Sequence, residues 1–63
     1  MNFDFVWKTV HVANNEIGGI YMQTIYGENL ADAVSNFTAM HGDLWEDENG
    51  YALEITSIKE VRE

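Results

Sequence analysis

The sequence has no cysteine, no proline and only three cationic side chains among its 63 residues. Without cysteine, neither a disulfide nor a thiolate metal site can stabilise so short a chain. A domain of this size buries only about 60% of the surface that its unfolded chain exposes, so its stability depends on a well-packed apolar core and on self-association. We therefore expect one domain, residues 1–63.

Long apolar runs are also missing. No stretch approaches the roughly 20 consecutive apolar residues that a membrane-spanning helix needs. The first ten residues include Asp4 and lack the basic start and apolar run of a signal peptide. Together with the lack of cysteine, these features predict a cytoplasmic protein that does not bind membranes.

Eleven carboxylates outnumber the three cations, and the net charge is −8. Such a field disfavours contact with a nucleic-acid backbone or an anionic membrane, and it favours a basic surface on another protein. A net charge of this size can also serve solubility alone. We predict a protein partner with a basic surface and no direct binding of nucleic acid.

Residues 28–41 are the only segment with helical periodicity. Asn29 is a good N-cap with Asp32 three residues later, and Gly42 can adopt the left-handed conformation after the last turn. Apolar or weakly polar side chains recur at helical spacing and line one face: Leu30, Ala33, Val34, Phe37, Met40 and His41.

Three other segments are rich in β-branched and aromatic residues and predict strands: residues 3–13, 20–26 and 51–61. The short polar turn at residues 14–16 makes the first two an antiparallel hairpin. In the last strand the apolar register shifts, which indicates a bulge or an end near Ser57. The Asn49-Gly50 pair favours a second hairpin, with an optional short strand over residues 44–47.

The predicted architecture is α+β, a ββαβ unit with one helix packed on one face of an antiparallel sheet. Both faces of the first strand are partly apolar, so alternation alone does not choose the covered face. We favour Val6, Val10 and Val12 inward and Trp7 at least partly exposed. The uncovered face, carrying aromatic residues such as Phe3, Phe5 and Trp7, then predicts a homodimer.

The candidate binding site is an acidic segment with four carboxylates in six residues, at Asp43, Glu46, Asp47 and Glu48. Trp45 lies among them, and tryptophan is a frequent anchor of protein interfaces. On one interpretation the segment docks on a basic groove and imitates the spacing of phosphates. On the other it is a solvated turn, with Trp45 folded onto the core.

No pattern of catalytic or metal-binding residues is convincing. With Gly50 at position 6 of a calcium loop, Trp45 and Thr56 would fall at ligand positions 1 and 12, and neither side chain is suitable. His11 and His41 lack the spacing of a metal site. We therefore expect neither an enzyme nor a cofactor.

Three segments resemble small host-takeover proteins of lytic phages, most nearly the short coliphage inhibitors of bacterial RNA polymerase. The segments are Trp-Lys-Thr-Val at residues 7–10, Ile-Tyr-Gly-Glu-Asn-Leu-Ala-Asp-Ala-Val at 25–34 and Glu-Ile-Thr-Ser-Ile at 54–58. The family has Trp-x-Thr-Val, Ile-Tyr-Ala-Glu-Thr-Leu and Glu-Val-Thr-x-Val at these places. The resemblance implies a ββαβ fold and an inhibitor of a host protein.

The departures from the family concern the target. Two arginines on the last strand of the family engage the polymerase, and Ser57 and Lys59 occupy their positions here. An acidic residue after the first motif is matched by His11. The expected function is therefore an inhibitor that occludes a nucleic-acid-binding site by DNA mimicry, on a nuclease, CRISPR effector, DNA-repair enzyme or nucleoid protein. A polymerase inhibitor and a homo-oligomeric structural or regulatory module are the alternatives. The predicted partner-binding residues are those of the acidic segment together with Trp7 and Lys59.

Overall fold

The computed structural model describes residues 1–42 and 50–62. The elements in chain order are β1 (Asn2–His11), β2 (Ile17–Tyr26), α1 (Leu30–His41) and β3 (Tyr51–Val61). All strand pairs are antiparallel, and the sheet order β2-β1-β3 places β1 in the centre. The predicted α+β fold with ββαβ order is confirmed. The optional strand over residues 44–47 lies outside the described residues.

The hairpin between β1 and β2 turns where the polar residues predict it. Asn15 has a positive φ of 59°, which asparagine tolerates well, and its N–H donates to the His11 carbonyl at 2.8 Å. The Asn14 side chain accepts from the Glu16 N–H at 3.0 Å. β2 begins three residues earlier than expected, because the strand passes through a bulge at Gly18 rather than starting after it.

The register shift predicted near Ser57 is also a bulge. Val6 lies opposite Ser57 and Trp7 opposite Ile55, so Thr56 is the extra residue of β3. Its hydroxyl donates to the Val6 carbonyl at 3.0 Å. The extra residue restores alternation after the shift, and Ile55 and Ile58 both lie on the helix side of the sheet.

The helix covers the aromatic face of β1, so the prediction that the valines point inward is wrong. Phe3, Phe5 and Trp7 are buried, whereas Val6 and Val10 are only half-buried on the other face. Aromatic side chains remove more apolar area from water than valines do, and covering them gives the larger hydrophobic gain. Val12, also expected inward, is exposed beyond the end of β1.

Helix α1 packs through a narrower stripe than predicted. Ala33 and Phe37 are fully buried and Val34 is half-buried, but Leu30 and Met40 are exposed, contrary to the prediction. The stacking of Phe37 on Phe5, with ring centroids 4.6 Å apart, sets this rotation of the helix. That rotation turns Leu30 and Met40 away from the sheet.

The first turn of α1 is capped as the sequence predicts. The Asn29 side chain accepts from the Asp32 N–H at 2.9 Å, and the Asp32 carboxylate accepts from the Glu28 N–H at 3.0 Å. At the other end Gly42 stays right-handed (φ −52°, ψ −36°), so the predicted left-handed conformation is wrong. Glycine populates both regions about equally, and its presence alone does not select one.

Candidate protein-interaction surface

Within residues 1–42 and 50–62 no helix lies on one face of the sheet, and we call this the open face. Side chains alternate along β1, so the residues between the buried aromatics point to the open face: Asn2, Asp4, Val6, Lys8 and Val10. Residues directly opposite each other in neighbouring strands share a face. The register therefore assigns Ile20, Met22 and Thr24 of β2 to the open face as well.

On the open face each of these charged residues lies opposite a residue of the other sign. Lys8 lies opposite Glu54, with their charged groups 3.9 Å apart. Asp4 lies opposite Lys59 and also accepts from the Thr24 hydroxyl at 2.6 Å. These two carboxylates and two ammonium groups sum to zero, so the net charge of −8 comes from the other residues of the chain.

Apolar positions lie between these charged positions. Val6 is flanked by Met22, and Val10 by Ile17 and Ala52. Ile20 is 71% exposed and Met22 is 63% exposed, although both side chains are apolar. The open face therefore offers apolar contact area without net charge, as interface cores commonly do.

The outer edge of β2 is a second exposed feature. Among the described residues no strand pairs with this edge. The ten residues of β2 include no charged side chain, whereas β3, at the other edge, carries Glu54, Lys59 and Glu60. β2 thus combines unpaired backbone groups with exposed apolar side chains.

A shallow groove of about 460 Å³ runs between the end of β2 and α1. The Asn36 side chain crosses from the helix and donates to the Tyr26 carbonyl at 2.9 Å. Tyr26 and Met40 are both mostly exposed on the groove walls. The groove continues the apolar surface of β2 around its edge to the helix side.

The two histidines occupy separate structural positions. His41 Nε2 lies 2.6 Å from the Gln23 side-chain oxygen, and its ring contacts Phe37 and Trp7. His11 packs edge-on against the Tyr51 ring at the start of β3. Within residues 1–42 and 50–62, no three metal-ligating side chains come together. His41 therefore joins the end of the helix to the sheet.

The predicted partner-binding residues have different fates. Trp7 is only 5% exposed, so the prediction of its exposure is wrong and it offers no surface to a partner. Lys59 is exposed on the open face. The acidic segment, with Asp43, Trp45, Glu46, Asp47 and Glu48, lies outside the described residues.

Sequence reasoning missed the edge of β2 as a candidate surface. Its signal was present, because residues 9–58 contain no lysine or arginine and residues 17–26 contain no charge of either sign. Edge strands of stable monomers usually carry a charged residue or a proline. Strand order, however, was needed to show that this particular segment is an edge.

No family model, curated protein or solved structure matches this chain. Of the helices in the described part of the chain, none is long and apolar enough to cross a membrane. The candidate function is therefore inferred from the charges and exposed surfaces of the chain itself.

Proposed function

We propose that this chain is a small phage-type inhibitor that acts in the host cytoplasm and occludes a basic, nucleic-acid-binding surface of a host protein. The target class is a nuclease, a CRISPR effector, a DNA-repair enzyme or a nucleoid protein. The resemblance to phage host-takeover proteins motivates the inhibitor role, and the ββαβ fold is compatible with it. The distribution of charge is the observation that carries the proposed type of target.

Each cation of the chain has a carboxylate nearby. Lys8 lies 3.9 Å from Glu54, Arg62 lies 4.0 Å from Glu60, and Lys59 is opposite Asp4. In the formal charge the three cations offset three of the eleven carboxylates, and the remaining eight give the net charge of −8. The sequence positions of these eight fall outside the ranges of the three strands: Glu16, Glu28, Asp32, Asp43, Glu46, Asp47, Glu48 and Glu63.

This separation gives the chain two kinds of surface. The open face is balanced and partly apolar, while the remaining acids belong by sequence position to the turns, the helix start and the acidic segment that connects α1 to β3. A protein that binds nucleic acid presents lysine and arginine to phosphates. Unmatched carboxylates attract the same groups, and Trp45 would add apolar contact that salt hardly affects.

The first experiment identifies the target and the surface that is blocked. The tagged chain is incubated with a nuclease-treated bacterial lysate, captured proteins are identified, and each is then challenged with duplex DNA. We expect to capture a DNA-handling protein and to see duplex DNA release it from the tagged chain, because inhibitor and DNA would compete for one basic surface. If added DNA does not reduce the amount of captured protein, the proposed DNA mimicry is contradicted.

The second experiment locates the binding energy. Replacing Glu46, Asp47 and Glu48 by their amides raises the net charge from −8 to −5. We expect slower association with the captured protein and a flatter salt dependence, since exposed charges steer encounter and are screened over about 8 Å at physiological salt. Unchanged affinity and salt dependence would show that the acidic segment is only a solvated turn.

A matched control carries the same change of net charge elsewhere, with Glu16, Glu28 and Glu60 replaced by glutamine. We expect this control to retain most of the association rate. The comparison separates the effect of the acidic segment from the effect of the overall electric field of the protein. Trp45→Ala should instead accelerate dissociation, because apolar contacts act mainly after encounter. Circular dichroism must first show that each variant is folded.

Inhibition of RNA polymerase is the second candidate. Lys59 occupies the place of one polymerase-binding arginine in the resembling family, and it is exposed on the open face beside Asp4. In this case the capture experiment would return polymerase subunits, and Lys59→Ala would weaken their binding more than the triple amide variant does. The third candidate, a homo-oligomeric structural or regulatory module, predicts capture of the chain by itself alone.

A further inference from the structure

The two edges of the sheet are not equally protected. Exposed edge strands pair readily with other strands, and proteins usually prevent this with charged residues, prolines or bulges. β3 has the Thr56 bulge in its middle and charged residues on both sides of it. β2 has no charge and no proline, and its bulge at Gly18 leaves residues 19–26 in unbroken register.

The direction of the free hydrogen-bonding groups follows from the ladder. The Gly27 N–H donates to the Met1 carbonyl at 2.9 Å, so this pair is hydrogen-bonded. In an antiparallel ladder hydrogen-bonded and non-hydrogen-bonded pairs alternate. The backbone groups of Ile20, Met22 and Thr24 therefore point away from β1, towards the outer edge of β2.

Charge selects the occupant of this edge. A basic partner would gain nothing from β2, because this strand has no carboxylate to offer. A second copy of the chain brings its own charge of −8 and is repelled by every acidic surface. Along residues 17–26 two copies can approach without opposing like charges directly, because this strand has none.

We propose that β2 is the interface for a second copy of this chain, with the two β2 strands antiparallel across a two-fold axis. The sheet then becomes six-stranded, and both helices lie on the same side of it. The backbone groups at Ile20, Met22 and Thr24 gain partners; with Met22 at the axis, Met22 meets its own copy and Ile20 lies opposite Thr24 of the partner subunit. The proposal does not depend on the inhibitor function.

Sedimentation velocity over a protein concentration series tests the pairing. The wild-type chain should form a species of twice its 7.2 kDa mass at high micromolar concentration. Ile20→Pro removes an outward N–H from each copy and should weaken self-association by roughly tenfold or more. Ile20→Ala keeps the N–H and controls for the lost side chain, while Glu60→Pro places a proline at the other edge and should have no effect on self-association.

A charge exchange provides a second test that does not depend on proline. Met22 is close to the midpoint of residues 17–26 and thus to the two-fold axis of full-length antiparallel pairing. Met22→Glu and Met22→Lys should each be largely monomeric, because like charges face each other. An equimolar mixture of the two variants should recover the dimer, since opposite charges then meet.

Salt distinguishes this contact from the one under Proposed function. Self-association should strengthen as salt rises, because screening reduces the repulsion between two copies of charge −8, whereas binding to a basic target should weaken. A wild-type chain that is monomeric at every concentration would overturn the proposal. A dimer that persists in Ile20→Pro and in both Met22 variants would overturn the β2 interface and point to the open face.

Discussion

At the scale of single residues, the core depends on three aromatic rings from two elements. Phe5 and Phe37 are fully buried and stack with an interplanar angle of 11°, and Trp7 meets Phe37 edge-on with centroids 5.2 Å apart. Offset stacking and edge-to-face contact are the favourable arrangements of aromatic pairs. Phe37 therefore connects the helix to the central strand, and its loss cannot be compensated by the exposed apolar residues of α1.

Phe37→Ala should lower the free energy of unfolding by about 3–5 kcal/mol, since it removes a fully buried ring and leaves a cavity. Met40→Ala, on the same helix but 59% exposed, should change it by less than about 0.5 kcal/mol. Urea denaturation followed by circular dichroism measures both. If Phe37→Ala is already unfolded in water, Phe37→Leu gives a measurable intermediate loss; equal stability of Phe37→Ala and wild type would contradict the packing.

At the scale of elements, the junction between β2 and α1 leaves no room for a side chain. Gly27 is buried, and a Cβ on it would lie 2.7 Å from the Ala33 Cα, a backbone atom that cannot move independently. Asn29 then caps the helix only two residues later. The helix therefore approaches its strand more closely than a side chain at position 27 would allow.

Gly27→Ala should therefore destabilise the protein by about 1–3 kcal/mol, the usual cost of overpacking. Gly42→Ala is the matched control at the opposite end of α1, where the φ of −52° suits any residue and no atom of residues 1–42 or 50–62 lies within 4 Å of the added Cβ. It should be neutral or stabilise by about 0.4–1 kcal/mol, because alanine reduces the entropy of the unfolded chain. Thermal denaturation measures both effects. The melting temperature should fall clearly for Gly27→Ala and should stay the same or rise for Gly42→Ala.

At the scale of the whole molecule, the net charge of −8 destabilises the folded state. The net charge of −8 on 63 residues produces stronger repulsion in the compact state than in the expanded unfolded chain. The described part of the chain has seven buried apolar side chains to offset this repulsion. Stability should therefore respond to ionic strength more than that of a neutral domain of the same size.

Raising sodium chloride from low to physiological concentration should increase the melting temperature, because screening weakens the repulsion within about 8–10 Å. A double variant, Glu16→Lys with Glu28→Lys, lowers the net charge to −4 at exposed positions and should show a smaller increase. The melts should be recorded at low protein concentration, where self-association contributes little. A melting temperature that is independent of salt in both proteins would contradict this account.

The amino-acid sequence by itself determined the features that depend on neighbours along the chain. The element order, the Asn14–Glu16 turn, the Asn29 cap and the β3 bulge follow from local hydrogen bonding and alternation, and the structure confirms them. The net charge also follows directly, because it is a sum over residues. These features hold whichever face of the sheet the helix covers.

Only the tertiary structure decided which surfaces are left for a partner. Both faces of β1 are partly apolar, and the packing of Phe37 onto Phe5 and Trp7 chose the covered one, which removed Trp7 from the surface. The exposure of the β2 edge likewise depends on β3 pairing with the far side of β1, a contact between residues about 50 positions apart. Side-chain packing and long-range strand pairing are properties of the assembled chain, and local patterns do not specify them.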